Sequence, residues 1–176
     1  MQPNKMVAFW LSPAAGAGEF FEGLIKELAE RYDAPRFEPH VTLAGGDIDP
    51  ERAIEVLRNL SIRESIELEV TGIQFSEKYT KTLFVQFRST PQIEALSAEL
   101  QKANGSDYEL NPHLSLLYKD MPQDTKAEAA KAISLPFKTV SFESVKAVLT
   151  PSPIRGPEDI TVWRTVGSRR LDTAPE

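Results

Sequence analysis

Two short phrases in this chain share one pattern. Pro39-His40-Val41-Thr42-Leu43 lies in the first half, and Pro112-His113-Leu114-Ser115-Leu116-Leu117-Tyr118 lies in the second. The chain holds only two histidines, and both fall in this phrase. From average residue usage, a histidine should meet the pattern P-H-x-[ST]-L about once in two thousand occurrences. Such a repeat constrains the fold: it asks for two equivalent strands, one per half, that bring like side chains to one place.

The intervening segments agree. Val7 to Leu11 predicts a strand ended by Ser12-Pro13, and Glu19 to Tyr32 carries a helical apolar stripe that Pro35 stops from continuing. Phe37 to Ala44 predicts the first histidine strand, closed by Gly45-Gly46. Asp49-Pro50 opens a helix as N-cap and first residue, and Ile66 to Phe75 alternates as a strand. The second half repeats the order: a strand over Thr82 to Arg88, a helix opened by Thr90-Pro91, and a histidine strand over Asn111 to Tyr118. A helix over Asp124 to Ile133 and strands over Phe137 to Leu149 and Ile160 to Val166 follow. Pro151 to Pro157 predicts a connecting loop, and Arg169 to Glu176 a frayed tail.

Each half therefore reads strand, helix, histidine strand, helix, strand. The expectation is an α+β fold of one domain over residues 1–176. Its two pseudo-symmetric lobes, roughly 1–76 and 77–168, would carry antiparallel sheets lining a central cleft with helices outside. At 176 residues a chain buries roughly 70% of its unfolded surface, enough for one real core.

In a strand, residues two apart share a face. His40 and Thr42 then point one way, with Val41 and Leu43 in the core, and His113 and Ser115 do the same with Leu114 and Leu116 behind. Histidine exchanges its proton near neutrality. A neutral imidazole can accept a proton from water while a protonated one supplies a leaving oxygen, each step worth typically 10²–10⁴-fold. Two imidazoles flanking a phosphorus suit in-line displacement, with the hydroxyls donating to non-bridging oxygens. A lone strand histidine is more often structural; two with the same neighbours reverse that balance. No Asp or Glu stands at ligand spacing in either phrase, so a metal site is not expected.

The net charge of −6 argues against gripping long nucleic acid, whose affinity rests on phosphate neutralisation, but not against a small phosphate ester. The absence of cysteine removes thiolate chemistry and fits a reducing cytoplasm. The longest apolar run, Met6 to Leu11, is far short of a membrane span, and no secretory signal is legible. A cytoplasmic monomer is expected.

With these residues in view, the chain resembles the two-histidine (2H) phosphoesterases, defined by paired H-x-[ST]-x motifs on two lobes. Among them it is most similar to the cyclic phosphodiesterases of plants and yeast. Phe9-Trp10-Leu11-Ser12-Pro13, Ala34 to Thr42, Pro112 to Tyr118 and Thr161 to Val166 carry the likeness; Asp47 to Gln74 is least specific. The resemblance implies metal-independent, cofactor-free hydrolysis of ADP-ribose 1″,2″-cyclic phosphate or nucleoside 2′,3′-cyclic phosphates to the monophosphate. It implies His113 as base and His40 as acid, although the near-symmetric motifs leave the roles interchangeable. Thr42 and Ser115 would hold phosphate.

Tyr118 matches a pocket aromatic of the family, yet strand parity puts it opposite His113 unless the strand ends first. Trp10 and Tyr79 are either stacking surfaces for a base or ribose, or core aromatics. Lys78 and Lys81 either attract phosphate or sit on a solvated hairpin turn, the plainer choice. The prokaryotic RNA 2′,3′-cyclic phosphodiesterases, once called 2′-5′ RNA ligases, share the motifs and offer the competing function of acting on RNA ends. A non-catalytic nucleotide-binding module is the other alternative.

Overall fold

A computed structural model describes residues 4–173. The sequence order holds: β1 (Asn4–Pro13), α1 (Ala15–Tyr32), β2 (Val41–Gly46), α2 (Pro50–Arg58) and β3 (Ile66–Phe75) form the first series. A 3-10 turn over Tyr79–Lys81 leads into the second: β4 (Leu83–Phe87), α3 (Pro91–Asn104), β5 (His113–Leu117), α4 (Gln123–Ala132) and β6 (Thr139–Ser152). A short helix α5 (Pro157–Ile160) and β7 (Arg164–Arg170) end it.

Local chemistry fixes the helix starts. The Asp49 carboxylate accepts from Glu51 N at 2.9 Å, and Thr90 Oγ1 accepts from Ile93 N at 3.3 Å, each satisfying an orphan amide ahead of a proline at N1. Helix α1 buries Phe21, Ile25, Leu28 and Ala29 and ends where Asp33 turns left-handed, two residues before Pro35. Among the described residues no helix is long and apolar enough to cross a membrane.

The strands form one seven-stranded sheet in the order β1-β2-β5-β4-β3-β6-β7, and β6 also pairs with β1. Every pairing between these strands is antiparallel. The first six strands thus close into a ring. The two halves of the chain exchange strands within it: β3 pairs with β4, across the midpoint, and β6 returns to β1. Residues 139–142 of β6 pair with β3, while 142–152 pair with β1, so this strand joins both sides of the molecule. Core side chains run continuously through the ring, with Val41, Leu43, Leu114 and Leu116 fully buried, as the strand parity requires.

Both histidine strands carry a one-residue bulge at the same place. Phe9 and Trp10 face Ala44 and Thr42, skipping Leu43. Leu83 and Phe84 face Leu117 and Ser115, skipping Leu116. The repeated phrase therefore encodes a repeated irregularity, and a bulge bends and over-twists its strand.

The C-terminal region departs from expectation. Ile160 to Trp163 is not strand, because Pro157 pre-sets a helical turn and the Asp159 carboxylate accepts from Arg155 N (2.8 Å) and Gly156 N (3.3 Å). The strand starts at Arg164. Strand β6 also runs into the loop expected from Pro151. The expected tail is ordered over its first part: β7 reaches Arg170, Leu171 is 1% exposed, and Asp172 bridges Glu64. Residues 174–176 of that tail lie outside the described residues.

Candidate active site

Strands β2 and β5 meet at one Cα pair, Val41 and Leu114. Each is the residue that follows a histidine. In an antiparallel register this places His40 opposite Ser115 and Thr42 opposite His113. The histidine of each phrase therefore stands across from the hydroxyl of the other. All four line one cavity of about 950 Å³, together with Trp10, Tyr118 and Trp163.

The two imidazoles are held alike. His40 Nδ1 lies 2.7 Å from Glu38 O, and His113 Nδ1 lies 2.6 Å from Asn111 O. A carbonyl only accepts, so Nδ1 carries the proton in each ring. Nε2 is then the free nitrogen of a ring that lines the cavity, and an acceptor while the ring is neutral. Burial pushes both pKa values down from 6.5 to about 4, against the raising effect of those carbonyls. The other imidazole and Lys146 add to the lowering at His40, and Lys81 and Lys78 at His113. Both rings are neutral at pH 7.

Their surroundings differ. Trp10, opposite Thr42 on β1, stacks on His40 with ring centroids 3.7 Å apart and 13° between planes. Phe84 occupies the matching position opposite Ser115 and meets His113 edge-on at 5.5 Å and 74°. Trp163, just before β7, stands edge-on to both Trp10 and His40. A strand expected over Trp163 hides the turn that brings its ring to the cavity.

Strand β5 ends at Leu117, which resolves the parity problem at Tyr118. Its ring is buried yet lines the cavity, stacked on Phe37 at 4.0 Å, and burial pushes its phenol pKa up. Tyr79 does not line the cavity. Its ring lies 6.0 Å from Tyr118, and its hydroxyl is buried without a hydrogen-bond partner. Thr42 is half-buried on the cavity wall. Ser115 Oγ–H donates a hydrogen bond to Thr80 O at 2.8 Å rather than into the cavity, so it tethers the loop between β3 and β4.

That loop carries Lys78 and Lys81, which line the cavity instead of sitting on a free hairpin. Ser76 Oγ to Lys81 O, Thr82 Oγ1 to Tyr79 O and Lys126 Nζ to Ser76 O hold it in place. Burial and the neighbouring Lys78 lower the Lys81 pKa. The register separates the ends of the cavity. Thr80 is bonded beside Ser115, next to the histidine pair. Gly46 lies five strand residues beyond Val41, roughly 17 Å away. At that far end the lining holds Lys5, Asp47 and Asp107, the last in the turn after the Asn104 that touches Gly46, and Glu109 follows on the same loop. The cavity is cationic beside the histidines and mainly anionic at its far end. Among the described residues no group of three or more His, Cys, Asp or Glu could hold a metal ion.

Residues 13–150 match the family model of the 2′-5′ RNA ligase superfamily. No curated protein matches the sequence. Among solved structures, Escherichia coli LigT complexed with phosphate is similar over 97% of this chain and 99% of that chain, at 14% identity and TM-score 0.57. TT0787 of Thermus thermophilus is similar over 94% and 97%, at 13% identity and TM-score 0.62. At such identities the likeness is one of fold.

Proposed function

The chain belongs to the 2′-5′ RNA ligase superfamily, the two-histidine phosphoesterases, and from that premise we propose that it hydrolyses the cyclic phosphate of a small ribonucleotide by paired histidine catalysis. One observation carries this reading: two imidazoles in one cavity, each with Nδ1 tied to a carbonyl and Nε2 free. In-line displacement at phosphorus needs a proton acceptor on one side and a donor on the other.

His113 Nε2 takes a proton from water as the water oxygen bonds to phosphorus. The bond from phosphorus to the ribose 3′ oxygen breaks, and His40 Nε2–H protonates that oxygen. The product is the nucleoside 2′-phosphate. Protons return between the two rings through solvent. Two features of the surroundings support these roles, although Lys146 also lowers the His40 pKa. The indole face of Trp10 favours an imidazolium at His40, and Lys78 and Lys81 disfavour one at His113. Both rings rest neutral, so the bound phosphodiester anion supplies the charge that lets His40 hold its proton. Thr42 and the two lysines face the non-bridging oxygens.

The charge gradient supports a small substrate. Asp47, Asp107 and Glu109 oppose the phosphates of a continuing RNA chain or a pyrophosphate. This favours nucleoside 2′,3′-cyclic phosphates over RNA ends and over ADP-ribose 1″,2″-cyclic phosphate. Structures of LigT with phosphate and with 3′-AMP support a nucleotide ligand for this fold. Phosphorus NMR of the products from 2′,3′-cyclic AMP tests the proposal: a 2′-phosphate is expected, unchanged by EDTA, and no turnover by the wild type overturns it.

A further inference from the structure

Behind each imidazole stands a second contact, and the two differ in charge. Glu38, whose carbonyl accepts the hydrogen bond from His40 Nδ1–H, has its carboxylate paired with Lys146 Nζ. Lys146 lies on β6 directly opposite Trp10. Asn111, whose carbonyl accepts the hydrogen bond from His113 Nδ1–H, has its side-chain oxygen accepting from Gln86 Nε2 at 2.8 Å. The same Gln86 amide reaches Pro112 O at 3.0 Å, and Gln86 lies on β4 directly opposite His113. So each orienting carbonyl belongs to a residue pinned by a neighbouring strand. One pin is an ion pair, the other a pair of neutral amides.

We propose that Lys146 and Gln86 are matched positioning residues, each fixing the carbonyl that orients one histidine, and that the charged pin tunes His40 while the neutral pin only orients His113. The proposal rests on the two-histidine reading above. Glu38 and Lys146 are 37% and 25% exposed at the side chain, so their charges are only partly screened from the buried ring beside them. Lys146 lowers the His40 pKa even when paired, and losing either partner leaves the other's charge uncompensated beside the ring. The other titratable group facing His40 is His113, and the charged groups facing His113 are Lys78 and Lys81. A merely structural ion pair gives the same disturbance whichever partner is lost. A tuning pair gives opposite signs.

The test uses the full chain with nitrogen-15 in the imidazole rings, read by NMR across pH. With two histidines, His40→Ala and His113→Ala assign every signal. Wild type is expected to show Nδ1 protonated and Nε2 bare in both rings at pH 7. Lys146→Met should raise the His40 pKa and Glu38→Gln should lower it, each by about one unit, while Lys146→Arg stays near wild type. The double variant Glu38→Gln/Lys146→Met should return toward the wild-type value. Gln86→Leu should shift His113 toward the Nε2–H tautomer and leave His40 unmoved. Glu38→Gln is isosteric at a part-exposed site and keeps the fold. Shifts of the same sign in Lys146→Met and Glu38→Gln, or none in either, overturn the tuning role. An unchanged His113 tautomer in Gln86→Leu overturns the other half. These signals do not depend on turnover. A wild type inactive on 2′,3′-cyclic AMP with the NMR pattern intact would sink the functional reading and leave the positioning one standing.

Discussion

Trp10 lies flat against His40 at 3.7 Å, whereas Phe84, at the equivalent place, presents only its edge to His113. A stacked indole stabilises a cation by about 0.5–2 kcal/mol, so the stack supports the acid form of His40. Trp10→Leu is expected to move the alkaline limb of the kcat–pH profile down by up to about one unit. Trp10→Phe, which keeps a ring face, should recover most of the shift. The profile of kcat from pH 5 to 9 decides it.

Replacing either histidine removes a proton-transfer partner. His40→Ala and His113→Ala should each cost 10²–10⁴-fold in kcat on 2′,3′-cyclic AMP, with melting temperature and circular dichroism close to wild type. Near-wild-type turnover in either variant would rule out the paired mechanism.

The depressed imidazole pKa values make stability depend on pH. In the unfolded chain each histidine protonates near 6.5; in the folded chain near 4. Between those values the unfolded state binds more protons, so stability falls as pH drops from 6.5 and flattens below 4. His40, 7% exposed, contributes up to about 3 kcal/mol of that loss. Urea unfolding between pH 7 and 4 should show the slope in wild type, and a shallower one in His40→Ala.

The two motif hydroxyls are not equivalent. Ser115→Ala loses the bond to Thr80 O and should cost about 1 kcal/mol of stability as well as turnover, because the lysine loop is released. Thr42→Val keeps the fold's hydrogen bonds and should lower kcat with little change in melting. Thermal melts beside steady-state kinetics separate the two.

Charge at the two ends of the cavity should act in opposite directions. Lys78→Met/Lys81→Met is expected to raise KM for 2′,3′-cyclic AMP and reduce its salt dependence. Asp107→Asn/Glu109→Gln should leave that substrate unaffected while improving turnover of oligonucleotides ending in a cyclic phosphate. For the wild type, added salt should help the oligonucleotide, the reverse of the usual nucleic-acid response. A salt titration with both substrates measures the sign.

Much of the architecture is legible in the chain because its signals are local. Asp49 and Thr90 cap the helices that follow them, Pro35 limits α1, and alternation marks β3 and β4. The paired phrase locates the histidines and their core neighbours, and the family resemblance built on it agrees with the family model and the fold. What escaped depends on contacts distant in sequence. Lys81 reaches the histidine cavity only because β4 pairs with β5. Lys146, on β6, meets Glu38 only because both β6 and β2 pair with β1. Ser115 directs its hydroxyl to Thr80 O, a partner no periodicity announces. At the C-terminus a run of β-branched residues was outweighed by Pro157 and the Asp159 carboxylate.

Strand β6, paired with β3 at one end and with β1 and β7 along the rest, makes the molecule hard to take apart by pieces. Peeling it away would open both sides of the ring at once, and no cut between the halves frees a fragment with a complete sheet. Denaturation should follow as a single cooperative transition, with identical midpoints by tryptophan fluorescence and by far-ultraviolet circular dichroism.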